Sequence, residues 1–311
     1  MIIAEGLTKR FDNFLAVDDV WVKVDQGQVL VLLGPNGAGK TTIVRMLTSV
    51  LTPTSGRATV AGHDVLLHAE KVRGSVGVLT ENHGLYGRMN ADDYLDFFGQ
   101  LYQVNRSVLQ KRKNQLLDAF GLYHVKNKRL GEYSKGMRQK LALVRALIHE
   151  PPVLLLDEPT SAMDPESARM VRDSIINLRS SDRTILLCTH NLAEAEQLAN
   201  YVAIIWKGKI IACATLKELQ NKYLGLSEFV VEFATRKNPT LPELPDGISV
   251  TKIESHRVHF RISTPEQLNP LLIKRLIENN QEIVSFAEIP RTLEQVYIEA
   301  IRIADKGNVV D

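Results

Sequence analysis

Val29-Leu30-Val31-Leu32-Leu33 runs directly into Gly34-Pro35-Asn36-Gly37-Ala38-Gly39-Lys40-Thr41-Thr42, and this junction decides the fold. Five consecutive Val and Leu residues describe a strand buried on both faces. The residues after it fit the phosphate-loop pattern G-x-x-x-x-G-K-[ST]. Its glycines let the backbone curl so that N–H groups face a phosphate, at the positive end of the helix that comes next. That helix is predicted over Ile43–Leu51. Gly34, Pro35, Asn36, Gly37, Ala38, Gly39, Lys40, Thr41 and Thr42 are therefore the candidate phosphate-binding residues. Lys40 is placed to neutralise β- and γ-phosphate oxygens, and Thr41 to give its hydroxyl to Mg²⁺. The strand before and the helix after separate the motif from an ordinary Gly-rich turn.

Further along, Val153-Leu154-Leu155-Leu156 ends in Asp157-Glu158. An apolar strand here delivers two carboxylates at its C-terminal end, where open α/β sheets bind ligands. Alone, such an ending is common. With a phosphate loop upstream, Asp157 reads as a Mg²⁺ ligand through water and Glu158 as a general base for an attacking water. Thr184–Cys188 and Val202–Ile205 are two more strands of the buried type, so a parallel sheet covered by helices is expected. Between the halves, from Leu85 to about Glu150, Leu, Lys, Gln and Asp at helical spacing mark a helical insertion.

After Leu226 the texture changes. Phe229–Phe233 alternates like a strand, and Pro239, Pro242 and Pro245 form a connector. Strands are predicted at Ile248–Ile253, Val258–Ile262 and Ile283–Phe286, with helices from Pro265 to about Asn279 and over Thr292–Ile303. The chain therefore divides into a large domain over 1–226 and a small α+β domain over 227–311. Of the 311 residues 44% are hydrophobic and 24% charged, and the formal net charge is +2, so no basic footprint argues for nucleic acid. No apolar run approaches the roughly 20 residues of a membrane span, and the start of the chain does not read as a signal peptide. The two cysteines, Cys188 and Cys213, form no metal or disulfide pattern and suit a reducing cytosol.

Tyr133-Ser134-Lys135-Gly136-Met137-Arg138-Gln139, with a helix and then the acidic strand after it, resembles the signature motif of ABC ATPases. In the usual Leu-Ser-Gly-Gly-Gln, the third and fifth places differ from the Lys135 and Met137 seen here. Ser134 and Gly136 keep the hydroxyl and the bare backbone that can meet a γ-phosphate at a helix N-terminus. Ser161-Ala162-Met163-Asp164 resembles the D-loop of that family. His190 resembles its switch histidine, and Phe11 occupies the place of the aromatic that stacks on adenine. Glu81 stands where the family usually has Gln, and is taken as a contact to Mg²⁺ or the attacking water. Pro290-Arg291-Thr292-Leu293-Glu294-Gln295-Val296-Tyr297 resembles the C-terminal stretch of ATP-binding subunits of drug, sodium and antibiotic exporters.

The resemblance, which covers about Ile2 to Gly225 and this C-terminal stretch, implies a P-loop NTPase fold. Its parts would be a RecA-like core, an antiparallel β-subdomain, an inserted helical subdomain and a small C-terminal α+β domain. It implies ATP and Mg²⁺ as cofactors, with Glu158, His190, Lys40 and Glu81 catalytic and Thr41, Asp157 and Glu81 at the metal. Phe11, the phosphate loop, Ser134, Gly136 and Asp164 would contact nucleotide. The implied partners are a separate integral membrane permease and a second ATPase subunit, identical or different, on the cytoplasmic face of the membrane. An importer ATPase and a soluble ABC ATPase acting on DNA or ribosomes remain the alternatives.

Overall fold

The computed structural model describes residues 1–80, 84–161, 163–179, 183–234 and 239–307. They fall into two compact units, Met1–Leu216 and Lys217–Asp311. In chain order the first unit holds β1 (Ile2–Phe11), β2 (Phe14–Val24), β3 (Val29–Leu33), α1 (Lys40–Leu47), β4 (Ser55–Val60), β5 (His63–Asp64), α2 (Ala69–Ser75) and β6 (Val76–Leu79). The helical stretch comes next, with α3 (Ala91–Leu101), α4 (Arg106–Ala119) and α5 (Lys135–Leu147). It is closed by β7 (Val153–Asp157), α6 (Pro165–Arg179), β8 (Thr184–Thr189), α7 (Leu192–Leu198), β9 (Tyr201–Trp206) and β10 (Lys209–Ala214).

Two sheets share this unit. One has the order β10-β9-β3-β8-β7-β6, in which β9, β3, β8, β7 and β6 pair in parallel and β10 adds antiparallel to β9. Strands β3, β7 and β8 are buried at every position, which is why their sequences read as unbroken apolar runs. Each fully buried Val or Leu contributes about 1.5–3 kcal/mol of hydrophobic stabilisation. The other sheet, β2-β1-β4-β5, is antiparallel. One core runs under both sheets, joining Ile2, Val20 and Val60 to Leu30, Leu155 and Leu186.

Helix α1 begins at Lys40 and stops at Leu47, four residues short of the predicted end at Leu51. Ser49 adopts a left-handed backbone at φ 57°, and the amides of Val50 and Leu51 both turn back to the Arg45 carbonyl. The chain must reverse here to enter β4, and Pro53 cannot continue a helix.

The helical stretch is pinned to the parallel sheet by one face of α5 and the turn after it. Arg145 donates to the Tyr94 hydroxyl on α3 at 2.9 Å and to the Val78 carbonyl on β6 at 3.3 Å. One turn on, His149 donates from Nε2 to the Val76 carbonyl at 3.1 Å, and its ring stacks on Tyr102 with centroids 3.8 Å apart. Burial lowers the His149 pKa to about 4, assisted by the Arg112 charge and opposed by the bond to Val76. A depressed folded pKa means stability that is complete above the unfolded value near 6.5. It is lost as pH falls toward 4, because the unfolded chain takes up the proton first. In His149→Phe, which keeps the stack but cannot titrate, the fall in Tm between pH 6.5 and pH 4 should be shallower. Parallel Tm curves for the two proteins would remove His149 from the acid response.

The second unit carries α8 (from Leu216 to Leu224), β11 (Ser227–Phe233), β12 (Ile248–Glu254), β13 (Arg257–Ile262), α9 (Pro265–Glu278), β14 (Ile283–Glu288) and α10 (Leu293–Gly307). Its sheet is antiparallel, in the order β12-β13-β11-β14. Phe229, Val231 and Phe233 alternate inward against Leu272 and Leu276 of α9, the period-2 and period-3.6 faces meeting as expected. Helix α8 is bonded to the segment between β14 and α10. Gln220 donates to the Arg291 carbonyl, and Arg291 donates to the Asn221 side chain at 3.0 Å and the Gly225 carbonyl at 2.9 Å.

Candidate functional site

The loop from Gly34 to Gly39 leaves β3 at the C-terminal edge of the parallel sheet, and two of its glycines are required by space. A Cβ on Gly34 would sit 2.5 Å from the Ile205 carbonyl, and one on Gly39 would sit 2.6 Å from the Ala16 carbonyl. Gly39 also has φ 107°, a conformation side chains rarely adopt. The loop is thereby held against β9 and β2. Lys40, 5% exposed, reaches back along it and donates to the carbonyls of Gly34 at 2.7 Å and Pro35 at 3.1 Å.

Strand β7 delivers the two acids alongside. Thr41 donates its hydroxyl to Asp157 Oδ2 at 2.7 Å. Glu158 Oε1 stands 3.5 Å from the Lys40 ammonium and 2.9 Å from His190 Nδ1. One carboxylate oxygen therefore links the phosphate loop to the histidine after β8. Glu158 has φ 51°, a left-handed backbone that costs a non-glycine residue roughly 1–3 kcal/mol and collects at functional sites. The conformation is held from several sides. The Glu158 amide donates to the Cys188 carbonyl at 2.9 Å. Gln139, buried on α5, donates to the carbonyls of Pro159 at 2.9 Å and Glu158 at 3.3 Å.

Lys40, Thr41, Asp157 and Glu158 line a cavity of about 440 Å³ together with Pro35, Asn36, Gly37, Gly39 and Thr42, and His190 is not among its lining residues. Its size is that of a small-molecule site. Its contents are anion-seeking at the loop and acidic at β7, as a phosphate-plus-cation ligand requires. The donor chemistry fits Mg²⁺: Thr41 and Asp157 offer hard oxygens at one wall, and Mg²⁺ is usually held by one or two carboxylates plus substrate phosphates. Among the described residues no group of three His, Cys, Asp or Glu gathers to hold a metal by itself.

Ser134 is the N-cap of α5, accepting from the Met137 amide at 3.2 Å, as its residue type favours. Gly136 sits in the first turn of α5. A Cβ there would meet nothing closer than Ser167 Oγ at 3.5 Å and Asp164 Oδ2 at 3.8 Å, which is ordinary contact. Asp164 accepts from the Ser167 amide at 2.8 Å ahead of α6, and that bond, with one from the Ser167 hydroxyl, lowers its pKa. Ser134, Gly136 and Asp164 are not among the residues lining the cavity. Glu81 lies outside the described residues, as does Ala162 of the D-loop stretch.

Phe11 ends β1 and pairs with Phe14 across the turn Asp12-Asn13. It is 43% exposed, with the Lys9 ammonium 5.1 Å from its ring centre. The aromatic that lines the cavity is Phe14, beside Ala16. Sequence reading did not single out Phe14, and Gln139 entered only as the last residue of the quoted motif. Phe14 had a usable signal: a two-residue turn places the residues flanking it side by side. Gln139 had none, since a buried Gln on an amphipathic helix is not distinguished from its neighbours by spacing.

Residues 17–161 match the ABC transporter family, and residues 215–301 match the C-terminal domain of DrrA1-3-like ATP-binding proteins. Over 224 residues the chain is 40% identical to the ABC transporter ATP-binding protein NatA of Bacillus subtilis, covering 70% of this chain and 91% of that one. Over 308 residues it is 36% identical to the doxorubicin resistance ATP-binding protein DrrA of Mycobacterium tuberculosis, covering 96% and 92%. A solved ATP-binding subunit of an ABC transporter superposes with a TM-score of 0.68 at 26% identity, over 72% of this chain and 94% of that one.

Proposed function

This chain belongs to the ABC transporter family as an ATP-binding, ATP-hydrolysing subunit, and on that premise we propose that two copies work together to drive export through a separate membrane permease. In this reading each copy supplies the phosphate loop, Asp157, Glu158 and His190 to one nucleotide. Each supplies Ser134 and Gly136 to the nucleotide held by the other. The observation that carries it is the freedom around Gly136. Its own chain has room for a side chain there, so no contact within the chain calls for glycine, and the bare start of α5 is open to a partner's triphosphate.

Within one site Lys40 and the loop amides hold the phosphates, and Glu158 takes the proton of the attacking water. His190, in contact with Glu158 at 2.9 Å, orients that carboxylate. Mg²⁺, held by Thr41 and Asp157, would neutralise charge on the phosphate oxygens. Glu81 is kept as a further contact near the metal, and Asp164 as a link between the two sites. Phe11 and Phe14, neighbours across one turn, are the aromatic surfaces available to the adenine.

Export is supported by the likeness of residues 215–301 to the C-terminal domain of drug-resistance ATPases. Among the described residues no helix is long and apolar enough to cross a membrane. The helical stretch offers a permease a face: Phe97 and Leu101, one turn apart on α3, are 47% and 63% exposed, with Tyr86 beside Phe97. Seated against the permease through such a face, this chain would lie at the cytoplasmic face of the membrane. The test is affinity purification of tagged Glu158→Gln with Mg-ATP from gently solubilised membranes of the organism that encodes it. A polytopic membrane chain should co-purify in stoichiometric amount. Ribosomal or soluble chains alone would overturn the transport reading.

A further inference from the structure

Glu194 is 1% exposed in the first turn of α7, a buried carboxyl that the reaction scheme leaves without a task. Its hydrogen bonds give it one. The Thr160 hydroxyl, two residues after Glu158, donates to Glu194 Oε1 at 2.9 Å. The Thr189 hydroxyl, one residue before His190, donates to the same carboxyl. Thr189 in turn accepts from the Asn191 amide at 3.0 Å, and the Asn191 side chain accepts from the Glu194 amide at 3.2 Å. A single side chain thus ties the backbone just after the catalytic acid to the backbone that carries the histidine.

The acid needs such a tie. Glu158 stands in a left-handed conformation, so relaxation of its backbone swings the carboxylate away from His190. Gln139 restrains the Glu158 and Pro159 carbonyls from the α5 side. Nothing in that restraint fixes where His190 lies. The bond from Thr160 to Glu194 holds the neighbouring backbone from the α7 side, and the bond from Thr189 makes the same anchor common to both partners. Burial raises the Glu194 pKa, and the bonds from the Thr189 and Thr160 hydroxyls oppose that rise.

We propose that Glu194 is a positioning residue for hydrolysis, setting the 2.9 Å contact between Glu158 and His190 through Thr160 and Thr189. The proposal rests on the reading of Glu158 as the general base. Loss of the anchor should lower kcat far more than nucleotide affinity, because Lys40 is aimed by the Gly34 and Pro35 carbonyls.

The experiment compares Glu194→Ala, Glu194→Gln and Thr160→Val in steady-state hydrolysis and in equilibrium binding of a fluorescent ATP analogue. Glu194→Ala should lose about 10–100-fold in kcat, the scale on which small misplacements of reacting groups act. Its affinity should stay within about twofold. Glu194→Gln keeps an oxygen that accepts from both hydroxyls and should restore kcat to within about threefold of the parent. Thr160→Val removes one of the two bonds and should fall between them, which keeps the idea open to test if the alanine variant does not fold. In a Glu158→Gln background, Glu194→Ala should cost little more, since residues acting as a unit are non-additive. A parental kcat in both Glu194→Ala and Thr160→Val overturns the proposal. So does an equal loss from Glu194→Ala in the two backgrounds. If Glu158→Gln alone keeps its turnover, the base assignment fails first, and that result is read without any change at Glu194.

Discussion

Glu158→Gln should bind ATP with near-parental affinity and lose about 10²–10⁴-fold in turnover, the contribution a positioned general base typically makes. The substitution keeps the volume of the side chain and an oxygen able to meet His190, but removes the group that accepts the water's proton. It also removes a negative charge 3.5 Å from Lys40, so triphosphate binding gains from relieved competition for the ammonium. The measurement is a pair: steady-state phosphate release, and equilibrium titration with a fluorescent ATP analogue. Turnover within tenfold of the parent would take Glu158 out of the base role. A parallel collapse of affinity would mean that it serves binding instead.

Lys40→Ala should fail in the opposite way, with ATP affinity down on the order of 10²–10³-fold, within the 2–5 kcal/mol that losing one partner of a buried charge-assisted contact costs. Lys40 is nearly enclosed, and its ammonium is already aimed by two loop carbonyls. A phosphate that arrives there meets a charge whose position is fixed beforehand. Arginine should not rescue it, because a planar guanidinium cannot occupy the enclosed space between the Gly34 and Pro35 carbonyls that the compact ammonium fills. The same titration decides the matter. An affinity that survives Lys40→Ala would contradict the placement of the phosphates in this loop.

How much of the fold and the site is legible in the sequence depends on what each residue's signal is made of. The strands β3, β7 and β8 can be read because burial on both faces forces unbroken apolar runs. The phosphate loop can be read because Gly34 and Gly39 answer to close backbone contacts that no other residue permits. Helix α1 is extended too far because Leu47 to Leu51 is apolar enough to continue it, and only the left-handed Ser49 ends it. The bonds from Gln220 and to Asn221 reach Arg291, 70 or more residues away. No local pattern records such contacts. The same is true of Glu194 and Gln139, ordinary helical residues in sequence that become restraints on Glu158 only once α5, α7 and β7 are brought together.

The central claim, that two copies each complete the other's site, is tested most directly by measuring mass in solution. Light scattering on Glu158→Gln with Mg-ATP should give the mass of two chains, and with Mg-ADP the mass of one. Adding Gly136→Asp should return the ATP sample to one chain while ATP stays bound. A Cβ at this position has room in its own chain and a carboxylate in the first turn of α5 suits the helix dipole, but it repels a partner's γ-phosphate. A single-chain mass for Glu158→Gln with ATP bound would contradict the account, and so would a two-chain mass that Gly136→Asp leaves intact.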